Sequence, residues 1–327
     1  QGADEGSRTK SASGILITPV LLVMLLSGAI SFVYEILWSR LLAHVLGGSL
    51  VAFATMLASF LGGIAIGGLV GARLAGDRRR SCYWLAGEEM AAGLLTLLLF
   101  FHVSSDGFAD RRWGEATTGS LANLCIWLLL PATICIGATF PLAVRVLAGE
   151  PGEAGRIAGR VYSWNTIGAI LGAVTAGYFL VPGLGYATSF KWAITGNLLL
   201  GALLLACMRP RPMVSAWGAV ALVLVIAIFY RPGEPEKLLT LSPGSPPVAR
   251  ENAPELIHHA VGHSASVAVL ERQGSFLIRT NGLPEAEVFS KGGASLSYTS
   301  IRWLPALPVA LRTAVLLPGE LLLRNLP

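Results

Sequence analysis

Residues Gly14–Arg40, GILITPVLLVMLLSGAISFVYEILWSR, form an apolar run free of charge until Glu35. A membrane crossing takes about 20 such residues, so the first element reads as a transmembrane helix over about 14–36. Its end breaks the pattern with a carboxylate, Glu35, and a guanidinium, Arg40, set among Tyr34 and Trp38. Ionisable groups at membrane depth are costly, are usually partnered and often mark a function. Two readings stay open. Tyr34, Trp38 and Arg40 anchor a helix end in the headgroups, or they form with Glu35 a polar signature with work to do.

The rest of the chain follows the same pattern. Of its 327 residues, 54% are hydrophobic and only 13% charged, and the mean hydropathy is +0.64. A soluble domain carries about 25% charge. The composition therefore reads as a multi-pass membrane protein with the lipid bilayer as its main partner. The net charge of +5 is small and sits in short loops, which excludes a nucleic-acid patch. Cys82, Cys125, Cys135 and Cys207 lie in or beside apolar segments, without disulfide or metal spacing, and read as buried thiols. The first run is too long for a cleaved signal peptide, and the opening Gln1 leads us to expect a short N-terminal piece missing or processed.

Seven apolar segments are expected, at about 14–36, 48–70, 83–103, 121–142, 161–181, 189–208 and 213–230. Residues 1–13 read as disordered, 14–230 as the helical bundle, 231–255 as a linker, and 256–327 as a small subdomain. The fold class is thus an all-α polytopic membrane protein with a C-terminal tail containing a β-hairpin. Eleven Lys and Arg residues fall in loops on one side against four on the other. By the positive-inside rule the N-terminus is cytoplasmic and the tail outside. The basic cytoplasmic loop is Arg73, Arg78, Arg79 and Arg80, and it is similar to the charged loop of major-facilitator transporters.

Gly63, Gly67 and Gly71 share one helix face, as do Gly168 and Gly172. Small residues so spaced let helix backbones approach closely. Pro131 and Pro141 are expected to break or kink segment four. Asn165 opens the second glycine face and suits a bond across helices. Glu88 and Glu89 start segment three near the basic loop, one to pair with Arg78–Arg80 and the other to face the bundle. Glu35 is expected at the opposite membrane face. In the tail, 265–271 and 275–280 read as a hairpin turning at Gln273-Gly274, with a further turn at Asn281-Gly282. His258, His259 and His263 cluster without further ligands at a metal spacing, so no metal is expected. Nothing in the chain forms a phosphate loop or a catalytic triad, and no cofactor is expected.

Several of these motifs together resemble one family, the membrane-embedded spermidine-synthase-like proteins of bacteria. They are SGAISFVYEILWSR, the glycine-rich second segment, GATFPLAVR (137–145), GRVYSWNTIGAILGAVTAGYFLVPGLG (159–185) and, in the tail, ASVAVLE and LIRTNGLPEA. The resemblance implies a transporter-like bundle in a bacterial inner membrane, joined to the β-hairpin and first helix (298–311) of a polyamine synthase. It also implies a Rossmann-like half binding an aminopropyl donor, which is absent from the sequence ending at Pro327. The first functional expectation is therefore a non-catalytic accessory subunit packed against other membrane proteins. The second is a transporter-like or polyamine-binding module. The third is an aminopropyltransferase whose catalytic half lies on another chain.

Overall fold

The computed structural model describes residues 2–46, 50–105, 108, 118–148, 151–208, 214–230, 235, 238, 254–263 and 265–289. The elements are α1 (Gly2–Leu46), α2 (Leu50–Leu74), α3 (Arg78–Val103), α4 (Thr118–Leu147), α5 (Ala154–Thr175), α6 (Val181–Cys207) and α7 (Val214–Phe229), followed by β1 (Glu255–Val261), β2 (Ser266–Arg272), β3 (Ser275–Thr280) and β4 (Leu283–Phe289). Among the described residues five stretches are long and apolar enough to cross a membrane: Ile17–Leu46, Leu50–Leu74, Arg78–Val103, Gly119–Leu147 and Ala154–Cys207. Large apolar side chains such as Leu26, Leu61, Phe101, Trp127, Ile170 and Phe179 point outward, as lipid-facing residues do.

α1 continues well past Ile36, where its end was expected, and also runs back through the polar residues 2–13. Adding a turn to an existing helix is far easier than starting one. Tyr34 and Trp38 consequently lie inside the helix and are buried, so they are not headgroup anchors. α4 runs unbroken over Pro131 and Pro141, as membrane helices can where other groups take up the backbone positions that proline frees.

Small residues decide which helices touch. A β-carbon on Gly67 would collide with backbone atoms of Ile134 and Ala138, and one on Gly71 with those of Ala138; α2 therefore lies directly on α4. Gly168 and Gly172 lie on the backbone of Leu25 and Ala29 in the same way, joining α5 to α1. Both pairs run parallel, since Gly67 to Gly71 tracks Ile134 to Ala138 and Leu25 to Ala29 tracks Gly168 to Gly172. α6 runs against α1, because Ile30 meets Gly196 while Trp38 stacks edge-on against Phe190 at 4.9 Å between ring centres. The run Ala154–Cys207 therefore reverses, through a π-helical turn at Ala176–Leu180 and at Gly185, whose φ of 77° and ψ of 179° suit glycine. α3 packs on α4 and α6, and α7 on α6.

The tail is a four-stranded antiparallel meander in the order β1-β2-β3-β4. The expected hairpin is β2–β3, pairing Arg272 with Ser275. Gln273 and Gly274 both have positive φ, as do Asn281 and Gly282 in the next turn, which is the twist that two-residue hairpins need. Two strands lie beyond that hairpin. β1 takes up the histidine stretch and β4 follows Asn281-Gly282. The expected helix at 298–311 and most of the 231–255 linker fall outside the described residues.

Overpacking a tight contact costs roughly 1–3 kcal/mol. Gly168→Leu should therefore lower the thermal midpoint of the detergent-purified protein, read as loss of the monodisperse peak on heating. Gly62→Leu, where an added side chain meets open space, should leave it unchanged.

Candidate functional site

The interior is two apolar cores with a polar layer between them. Toward the C-terminal end of α1 lies a core containing Leu37, Trp38, Leu41, Phe100, Leu129, Phe190 and Ile194. Toward its N-terminal end lies a second, containing Val20, Met24, Leu85, Ala86, Leu142 and Val161. Between them α1 contributes Ser27 and Ser31, α3 Glu89 and Thr96, α4 Thr133, and α6 Thr195 and Asn197, all buried. Helical spacing produces this. Ser27, Ser31 and Tyr34 share one face of α1, and Glu89, Gly93 and Thr96 share one face of α3. Gly93 admits α6, since a β-carbon there would stand 3.3 Å from Asn197 Cβ.

Glu89 is the centre of the layer. It is 1% exposed, lies beside Ser27 and faces the Tyr34 hydroxyl. Its Oε1 has no hydrogen-bond partner, and neither has Tyr34 Oη or Thr96 Oγ1. The last two face one another without a hydrogen bond between them. Each unsatisfied buried group costs about 1–3 kcal/mol, so three together mark a place shaped for something polar. Glu88, half-buried, turns toward Cys135 of α4.

Other expected site residues fall elsewhere. Arg73 ends α2, and Arg78–Arg80 form the first turn of α3. The basic loop thus contracts to residues 75–77, where Asp77 caps α3 by accepting from Arg80 N at 2.7 Å. Arg145 of α4 donates to Gly76 O at 2.7 Å, and Arg79 lies over the Tyr83 ring. Glu89 sits about three turns from Arg78, so neither it nor Glu88 pairs with this cluster. Glu35 lies in a shallow cleft between α1, α2 and α4 with Phe53, Met56, Phe60 and Leu129, apart from the layer. Asn165 meets α1 at Gly28.

Arg40 does not pair with Glu35. Its guanidinium donates to Gly262 O at 2.9 Å and to His263 O, in the turn between β1 and β2. One turn on, His44 Nε2 is hydrogen-bonded to Ser266 Oγ at 3.1 Å, and Gly282 packs on its backbone. The His263 ring stacks near Tyr178, 5.4 Å between centres. The sheet is thus docked on the C-terminal end of α1. Arg279 of β3 is buried there as well, and burial lowers its pKa. His258 and His259 are neighbours on a strand and so face opposite ways. The described residues hold no group of three or more metal-ligating side chains.

Residues that the sequence reading did not single out include Ser27, Thr96, Asn197, His44 and Ser266. The spacing Ser27-Ser31-Tyr34 is a visible helical face. His44 lay beyond the expected end of α1, and Thr96 and Asn197 carry no distinguishing local signal. No family model, curated protein or solved structure matches this chain.

Replacing Arg40 with Ala should free the sheet, raising its rate of release by limited proteolysis several-fold. Glu35→Ala should leave that rate unchanged.

Proposed function

We propose that the protein is a transporter-like membrane module that binds a cation at its midplane, with Glu89 as the charge-bearing group. The observation that carries this is the buried polar layer around Glu89, enclosed above and below by apolar cores. Membrane transporters place their binding sites at this depth, and an intramembrane carboxyl is by default a functional group. The accessory-subunit reading rests on the missing catalytic half and on the glycine faces, and those faces are engaged within the chain, on α4 and on α1.

We read the bundle as crossing seven times, with the N-terminus inside and the sheet outside. Supporting this, α5 and α6 run in opposite directions. α7 then leads from the far end of α6 back toward the end carrying the sheet, where Val223 and Ile226 join the core of Val45 and Val103. Its 16 residues span about 24 Å. A bacterial inner membrane and a polyamine as the cation follow from the family resemblance alone.

Calorimetric titration with spermidine tests the site. Binding should be weakened roughly tenfold or more by Glu89→Gln, about 1.4 kcal/mol or above, and unchanged by Glu35→Gln. An affinity insensitive to Glu89→Gln would remove the role. Labelling of a His263→Cys variant by a membrane-impermeant thiol reagent on intact cells tests the orientation.

A further inference from the structure

We propose that Glu89 holds a proton when the layer is empty and releases it when a cation enters, so that the site exchanges one for the other. This deepens the cation-binding reading and rests on it. The argument starts from charge. A carboxylate taken out of water without a counter-charge costs several kcal/mol, so a buried acid is neutralised by a side chain, a bound cation or a proton.

Among the described residues no side chain supplies that charge. Among the described residues the ion pair is Arg156–Glu153 at 2.9 Å, far along the sequence in the loop before α5 and its first turn. The titratable groups facing Glu89 are Tyr34 from α1, Glu88 from its own helix and Cys135 from α4. Tyr34 and Cys135 are neutral, and Glu88, a second acid, supplies no positive charge. α6 brings Asn197 and Thr195, which carry none. α5 meets α1 in this region through Gly168 and Gly172.

The layer also holds the groups that pass a proton. Hydroxyls both donate and accept. Ser27 lies beside the carboxyl, and Tyr34 and Thr96, both unpartnered, stand two turns nearer the sheet-bearing end. One turn further the path is closed by Trp38, Phe190 and Phe100, with ring centres 4.9 and 4.4 Å apart in sequence along the stack. In the exchange the carboxyl O–H bond breaks and the proton leaves to bulk water. An ammonium group then takes its place as hydrogen-bond donor to the carboxylate oxygens. At the Glu89 carboxyl one ammonium charge replaces one proton, so the carboxylate is neutralised before and after the exchange.

Infrared spectroscopy of the full-length protein in detergent, near neutral pH, tests this through the protonated-carboxyl stretch. The band should be present in the wild type, persist in Glu88→Gln and vanish in Glu89→Gln. Saturating spermidine should abolish it and release one proton per bound molecule into weakly buffered medium. Absence of the band at neutral pH overturns the proposal. Calorimetric binding of spermidine with the band intact overturns the exchange and leaves the cation site standing. No binding at all overturns both. Where Glu89→Gln does not fold, Tyr34→Phe serves: losing the hydroxyl that faces Glu89 should move the midpoint of the band's pH titration, and an unmoved midpoint would show that the band is not that of Glu89 and overturn the proposal.

Discussion

Backbone-to-backbone contact between helices governs this bundle. Lipid is as apolar as leucine, so burying apolar side chains gains little inside a membrane, and helices are held by close packing. Here that packing is concentrated in two parallel pairs. α2 lies on α4 through Gly63, Gly67 and Gly71, with Gly137 answering from α4, and α5 lies on α1 through Gly28, Gly168 and Gly172. With these four helices set, α3 and α6 fill the remaining interior. They meet through Gly93 and Gly201, running antiparallel, and they bring Glu89, Thr96 and Asn197 to the depth of Ser27 and Ser31.

That arrangement explains why the layer stays polar. Tight glycine contacts set the helices directly on one another around it, while the aromatic stack of Trp38, Phe100 and Phe190 closes one end. A carboxyl held there answers to its few immediate neighbours and not to bulk solvent. The hydroxyls of Tyr34 and Thr96, left unpartnered, keep the region adaptable, since a filled hydrogen-bond network would lock it in one state.

Much of this was readable from the chain, and the failures have physical causes. The apolar runs, the glycine faces and the Gln273-Gly274 hairpin are local patterns, and each appears in the fold. The partners of the glycine faces were not legible, because spacing shows that a face is small and not what covers it. Glu35 drew attention as the first charge in an apolar run, yet the buried centre is Glu89. Which of two adjacent carboxylates turns inward depends on the rotation of α3 about its axis, and tertiary contacts set that. β1 was obscured by its histidines and by the bulge between Leu256 and His258, which breaks the alternation a strand normally shows. The ends of α1 were missed because apolar length bounds a membrane crossing and not a helix.

The extended α1 joins two regions that otherwise share little. Ser27 and Tyr34 stand in the polar layer, while Arg40 and His44 on the same helix hold the sheet. From Ser27 to His44 is about 25 Å of continuous helix, stiff along its length. The same stretch of backbone forms both the wall of the layer and the seat of the sheet. The sheet and the centre of the bundle are therefore joined by a single rod.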